Sequence, residues 1–156
     1  MRRSLVILFL LLLSLNSCKF SGSNSKGYKE LEEGIIKIFD NKDGITDFSA
    51  AARKGNLEVY GIVTYYYGYS ALDFLEKNFK KSDGKAEYYY ASILMSANTN
   101  EDNAKKLFEE AVKQGEYNAY YSLGTLYEND LDYSTAMNYY EKGREKGDMF
   151  SLYAYE

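Results

Sequence analysis

Apolar residues along this chain fall into two patterns. Leu5 to Leu13 is an unbroken apolar run, extended by Ser14 and Leu15. From Glu30 onward, apolar residues instead recur at i, i+3 and i+4, the spacing that gathers them on one face of a helix. Read this way, the sequence predicts helices over 30–39, 45–54, 58–67, 70–80, 86–96, 100–114, 117–128, 133–146 and 149–155, with little strand.

These helices repeat. Ala71-x-x-Phe74-Leu75-Glu76, Ala104-x-x-Leu107-Phe108-Glu109 and Ala136-x-x-Tyr139-Tyr140-Glu141 place their alanines 33 and then 32 residues apart. Gly55, Gly84, Gly115 and Gly147 follow at spacings of 29, 31 and 32, each closing a polar stretch that carries Lys. Lys in a last turn followed by Gly is the chemistry expected of a helix C-terminus. A second set of helices carries a small residue at its middle: Gly61, Ala91, Gly124 and Ala154, spaced 30, 33 and 30. A small residue there lets a neighbouring helix approach closely. Two helices per unit of about 33 residues is the signature of an α-α superhelix, so the expected fold is an all-α solenoid of about four helix pairs.

The clearest copy runs Ala119-Tyr120-Tyr121-Ser122-Leu123-Gly124-Thr125-Leu126-Tyr127, then Ala136, Tyr140 and Gly143. Leu123-Gly124-x-x-Tyr127 and the later small and aromatic residues resemble tetratricopeptide and Sel1-like repeats. Ala51-Ala52-Arg53-Lys54-Gly55-Asn56-Leu57-Glu58 and Lys113-Gln114-Gly115-x-x-x-Ala119 look like Sel1 junctions. The chain departs from both families. It lacks the Pro and Trp of the tetratricopeptide consensus and the longer Gly-rich turn of Sel1 units. The resemblance covers roughly Gly55 to Tyr155, and the first pair, Glu30 to Lys54, matches weakly.

What the resemblance implies is a binding scaffold whose first helix in each pair lines a concave surface. Three residues before each small residue stand Glu58, Tyr88 and Tyr121; one residue after it stand Ile62, Ser92 and Thr125. These six are the expected partner-binding positions, because Tyr offers contact area and a hydroxyl at low entropic cost. Adjacent tyrosines such as 65–67 and 88–90 cannot all face a core, since successive helical residues lie about 100° apart. Tyr88 and Tyr121 are expected to be partly exposed, and Tyr90, Leu123 and Tyr140 buried.

The first apolar run has a different meaning. Arg2-Arg3 precede it, and eleven residues are too few to cross about 30 Å of hydrocarbon as a helix. A basic start, a short apolar core and small residues describe a signal peptide. Leu15-Asn16-Ser17-Cys18 resembles the lipobox of bacterial lipoproteins. That resemblance implies that the Cys18 thiol receives a diacylglyceryl group. It implies too that cleavage leaves Cys18 as an N-terminus carrying acyl chains of the palmitate kind, enough for stable anchoring. The expected organisation is a signal peptide over 1–17, the lipidated cysteine and a Ser/Gly/Asn/Lys tether over 18–29, and a helical repeat domain over 30–156. Lys19, rather than Asp, after the cysteine favours the outer membrane of a Gram-negative envelope, on its periplasmic face or surface.

Composition narrows the function. Among 156 residues there are 18 Tyr and no His, Pro or Trp. Without His, the commonest general base and metal ligand is missing. Cys18 is the only cysteine, so neither an intramolecular disulfide nor a Cys-rich zinc site can form. The formal net charge is −4, and loss of Arg2 and Arg3 would leave 17 basic against 23 acidic residues, a formal −6. Such a chain does not attract phosphate backbones, so nucleic acid is not the expected partner. Glu32-Glu33 and Glu109-Glu110 read as solvated helix faces. Asp40-Asn41-Lys42-Asp43-Gly44 lacks the terminal Glu of a calcium loop and reads as a turn.

No catalytic residue, cofactor or metal site is therefore expected. The expected function is a membrane-anchored scaffold for a protein or peptide partner in the cell envelope. A lipoprotein of outer-membrane or pilus assembly is the alternative. An enzyme of cell-wall turnover is disfavoured, because the Sel1-like proteins linked to β-lactam binding are Cys-rich and this chain is not.

Overall fold

The computed structural model describes residues 26–155. Among the described residues the regular structure is all helical. It comprises α1 (Tyr28–Phe39), α2 (Ile45–Arg53), α3 (Glu58–Tyr67), a 3-10 turn (Gly68–Ala71), α4 (Leu72–Glu76), α5 (Lys85–Ser96), α6 (Glu101–Lys113), α7 (Ala119–Asn129), α8 (Tyr133–Glu145) and α9 (Met149–Tyr155). Helices adjacent in sequence pack on one another: α1 on α2, then α4 on α5, α5 on α6, α6 on α7, α7 on α8 and α8 on α9. The described residues divide into two compact units, 26–59 and 60–155.

In the first unit, α1 buries Leu31 and Ile35, and α2 buries Phe48 and Ala51. The two helices meet at glycine. A Cβ on Gly34 would lie 2.5 Å from Phe48 Cε1, and one on Gly44 would lie 2.5 Å from the Gly34 carbonyl oxygen. Gly27, with φ of 73°, opens α1 in the left-handed region, and a Cβ there would fall 2.6 Å from the Ala51 carbonyl oxygen. At the rim, Lys54 Nζ pairs with Glu30 at 2.6 Å and Lys37 Nζ with Asp47 at 2.6 Å.

In the second unit, Ala91, Leu94, Ala104, Phe108, Ala111, Leu123 and Leu126 form one apolar cluster spanning α5, α6 and α7. Gly84, with φ of 82°, opens α5 as Gly27 opens α1, and a Cβ there would collide with the Ala111 carbonyl oxygen. On α7, a Cβ at Gly124 would come under 3.0 Å from the Tyr140 ring of α8. Gly124 thus holds the close helix contact expected of it.

The expected Lys-Gly helix ends occur at three of the four positions. Gly55, Gly115 and Gly147 adopt φ of 85°, 103° and 82°. Their N–H groups donate to Ala52, Val112 and Arg144 carbonyls at 2.9, 3.1 and 3.1 Å. The next N–H in each case donates to Ala51, Ala111 and Gly143 at 3.1, 3.0 and 2.9 Å. This is the paired bond of a Schellman ending, which satisfies carbonyls the helix leaves open. The side chain of the residue after each glycine then accepts the backbone N–H two residues on, where the next helix begins or is about to. Asn56 Oδ1 accepts from Glu58 N–H at 3.1 Å, Glu116 Oε1 from Asn118 N–H at 3.4 Å, and Asp148 Oδ1 from Phe150 N–H at 3.1 Å.

Gly84 differs: it precedes a helix rather than closing one. The helix expected over 70–80 is interrupted here. Gly68, at φ of 53°, ends α3, a 3-10 turn follows, and α4 stops at Glu76. Asn78 Nδ2 donates back to the Phe74 carbonyl at 2.7 Å, and Lys80 turns to φ of 61°. The Lys80 N–H donates to the buried Glu87 Oε1 at 2.6 Å, and Glu87 also accepts from Gln114 Nε2 at 2.8 Å and Ser82 Oγ at 3.3 Å. A buried carboxylate with three donors replaces the last helical turn, because leaving it unsatisfied would cost more than the turn stabilises.

Candidate functional site

Cys18 and the signal segment lie outside the described residues. The six expected partner-binding positions are all described. Glu58 is exposed in the first turn of α3, within the first unit. The other five belong to the second unit. Ile62 is half-buried on α3, as are Tyr88 and Ser92 on α5 and Tyr121 and Thr125 on α7.

The two tyrosines are engaged in packing. The Tyr88 ring lies 5.8 Å from Phe108 and 5.2 Å from Tyr89, and its hydroxyl bonds Ser122 of α7. Burial, with Tyr89 and Glu116 nearby, pushes its phenol pKa up. The Tyr121 ring lies 5.9 Å from Tyr140 and 5.6 Å from Phe150. Leu123 and Tyr140 are buried as expected. Tyr90 is not: it is half-buried, its ring edge-on to Phe79 at 5.4 Å. The irregular segment after α4 carries Phe79 to that face of α5, where a longer helix was expected.

Ser92 lies in a cleft. A concavity of about 390 Å3 opens between the end of α3 with its 3-10 turn, which contribute Thr64, Gly68 and Tyr69, and α5, which contributes Ser92, Ile93 and Ser96. The three aliphatic hydroxyls on its wall donate within their own helices: Thr64 to Tyr60 O at 2.8 Å, Ser92 to Tyr88 O at 2.8 Å and Ser96 to Ser92 O at 2.9 Å. With those protons engaged, the wall meets an occupant through methyl, methylene and ring surface. Tyr69, 62% exposed, stands at the rim. Such a cleft suits an apolar side chain.

A second concavity of about 280 Å3 lies among α6, α7 and α8, bounded by Glu109, Lys113, Tyr120, Leu123, Tyr139 and Lys142. Beside it runs a file of rings. Tyr117 stacks on Tyr120 at 6.3 Å, Tyr120 meets Tyr139 at 6.5 Å, and Tyr139 stacks on Tyr127 at 5.4 Å. Ammonium groups cover three of them: Lys146 over Tyr117 at 5.5 Å, Lys142 over Tyr139 at 5.4 Å and Lys105 over Tyr127 at 5.1 Å. Burial first, then neighbouring Tyr127 and Glu109, push the Tyr139 phenol pKa up to about 12. No periodicity argument at 33 residues singles out this file, because its members come from different positions of the repeat. The signal available was the pairing of Tyr with Lys three residues on, at 139 and 142.

Among the described residues no group of acidic, Cys or His side chains is arranged to hold a metal, and no helix is long and apolar enough to cross a membrane. No family model, curated protein or solved structure matches the chain.

Proposed function

We propose that this protein is a lipid-anchored scaffold of the bacterial cell envelope whose body is a solenoid of helix pairs, and that it docks a protein or peptide partner rather than catalysing a reaction. The observation that carries the docking site is the cleft of about 390 Å3 at Ser92, whose Ser and Thr hydroxyls bond within their own helices. Ser92 is the one expected partner-binding residue on that wall. Support for the solenoid comes from the three equivalent Schellman turns at Gly55, Gly115 and Gly147. The anchor rests on Leu15-Asn16-Ser17-Cys18. A partner side chain entering the cleft would bury its apolar surface at about 25 cal/mol per Å2.

The test is affinity capture from crosslinked, solubilised envelope. Wild type is expected to recover a specific partner. Ala97→Trp, which fills the cleft from an exposed position, is expected to lose it while keeping its helical circular dichroism. Equal recovery by both proteins would remove the cleft from the proposal. Cys18→Ser tests the anchor separately: serine has no thiol to form the thioether, so unmodified precursor should accumulate. A mature protein partitioning into detergent after that substitution would overturn the lipoprotein assignment.

A further inference from the structure

The tyrosine file on α7 and α8 has no part in the cleft at Ser92, and its chemistry differs. Its lysines fall into two groups. Lys105 is neutralised, bonded to Asp130 at 2.5 Å and Glu101 at 3.2 Å. Lys113 has Glu110 at 3.6 Å. Lys142 and Lys146 have no carboxylate within ion-pairing distance among the described residues; each lies over a ring instead. A ring face holds an ammonium without cancelling its charge, so both remain available to an anion. Placement at a helix C-terminus explains why lysines are favoured there. It does not explain why each is held over a tyrosine, Lys142 over one that lines the concavity and Lys146 over one that stacks on its Tyr120.

We propose that this surface, with Tyr120 and Tyr139 as its floor and Lys142 and Lys146 as its charged edge, docks an extended acidic segment of a partner protein. Lys142 sits in the last turn of α8 and Lys146 caps that helix four residues on; their ammonium groups lie over two rings, Tyr139 and Tyr117, that both neighbour Tyr120. In an extended peptide, side chains two residues apart point the same way at a separation of roughly 6.6 Å. Acidic residues on that one face of the segment meet the two ammonium groups, and the residues between them turn outward. The rings beneath supply apolar contact for the methylenes of those acidic side chains. Glu109 and Lys113 of α6 also line the concavity, and the acidic residues lie on the side of Lys142, away from Glu109. The chain as a whole is formally −4, and this charge contrast makes the patch selective for a segment that the remaining surface repels.

The probe is a fluorescein-labelled octapeptide of alternating Glu and Ser, read by anisotropy with full-length protein in detergent. Wild type is expected to bind it, less tightly as ionic strength rises from about 0.05 to about 0.3 M. The same length of alternating Lys and Ser is expected not to bind. Lys142→Glu with Lys146→Glu should weaken binding by at least about tenfold. Both side chains are exposed, so the helical circular dichroism should not change. Ala97→Trp should leave octapeptide binding as it is, which separates this surface from the Ser92 cleft. Three results would overturn the proposal. One is no binding at millimolar protein. Another is binding unaffected by the double charge reversal. The third is capture of phosphatidylglycerol vesicles through Lys142 and Lys146 in place of the octapeptide, which would assign the face to lipid.

Discussion

The pair α1–α2 and the pair α5–α6 use one frame with different residues. In each, a left-handed glycine opens the first helix and abuts the carbonyl of an alanine near the end of the second: Gly27 against Ala51, and Gly84 against Ala111. In each, a small residue seven positions later meets the second helix, Gly34 in one and Ala91 in the other. Gly44, Phe48 and Ala51 recur as Ala104, Phe108 and Ala111, and again as Ala136, Tyr140 and Gly143. Even the rim ion pair recurs, with its charges exchanged. Glu30 in the first turn of α1 meets Lys54 past the end of α2, and Lys85 in the first turn of α5 meets Glu116 past the end of α6. What is kept is backbone approach and side-chain volume; sign of charge and identity of residue are free to drift.

The comparison breaks most decisively at its glycines. Gly27→Val and Gly84→Val each force a branched side chain into the left-handed region and against a carbonyl, at a cost of about 4 kcal/mol or more. Urea unfolding followed by circular dichroism should show similar losses for the two; a neutral Gly27→Val would end the equivalence. Leu123→Ala, in the core shared by α5, α6 and α7, should cost about 3 kcal/mol in the same assay. Gly124→Leu should cost roughly 1–3 kcal/mol, since even a Cβ meets the Tyr140 ring.

Alkali should separate the two units. Burial pushes the Tyr60 and Tyr140 phenols up to about 12, the first with Glu87 and the second with Glu128 nearby, and Tyr139 reaches about 12 as well. All three lie in the second unit. A phenol whose folded pKa is raised holds its proton more tightly when folded. Its stabilisation is complete below the unfolded value near 10 and is lost as pH rises from there through about 12. Tyr28, the one described tyrosine of the first unit, is raised too, by burial and by Glu58 and Glu32. With one raised phenol in the first unit against six in the second, Tyr60, Tyr66, Tyr88, Tyr90, Tyr139 and Tyr140, the first unit should be the less sensitive. Absorbance at phenolate wavelengths should show late-titrating tyrosines, and hydrogen exchange above pH 10 should accelerate first in residues 60–155. Acceleration first in residues 26–59 would contradict this. Smaller, Asn56→Ala should cost about 1 kcal/mol as a lost cap, and smallest of all, Lys54→Ala should leave the unfolding midpoint nearly unchanged, as an exposed pair.

Helical periodicity was legible throughout, and eight of the helix positions lie where the apolar pattern put them. The first pair was under-read because its small residue at 44 is Gly where later copies have Ala, so a search for Ala-x-x-aromatic misses it. The segment after Glu76 was over-read as helix. Its apolar pattern is helical, but the buried Glu87 draws a backbone donor from Lys80, and a demand from seven residues away leaves no local periodic trace. Of the six inner-face positions, Ser92 falls on a cleft wall, while Tyr88 and Tyr121 carry ring contacts that no count along the chain could reveal. The Lys-covered tyrosine file combines positions from three helices, which is why repeat spacing passes over it.

The turns at Gly55, Gly115 and Gly147 share the same two hydrogen bonds and the same role for the residue that follows. Each is therefore an interchangeable joint. The stretch from Glu116 to Gly147, copied in tandem, would begin and end on identical chemistry: the upstream glycine would find a capping side chain after it, and the downstream one would too. A gene carrying such joints can lengthen its product by duplication without inventing a connection. The drift seen between α1–α2 and α5–α6 is what copies joined in this way would accumulate once each was free to change its surface.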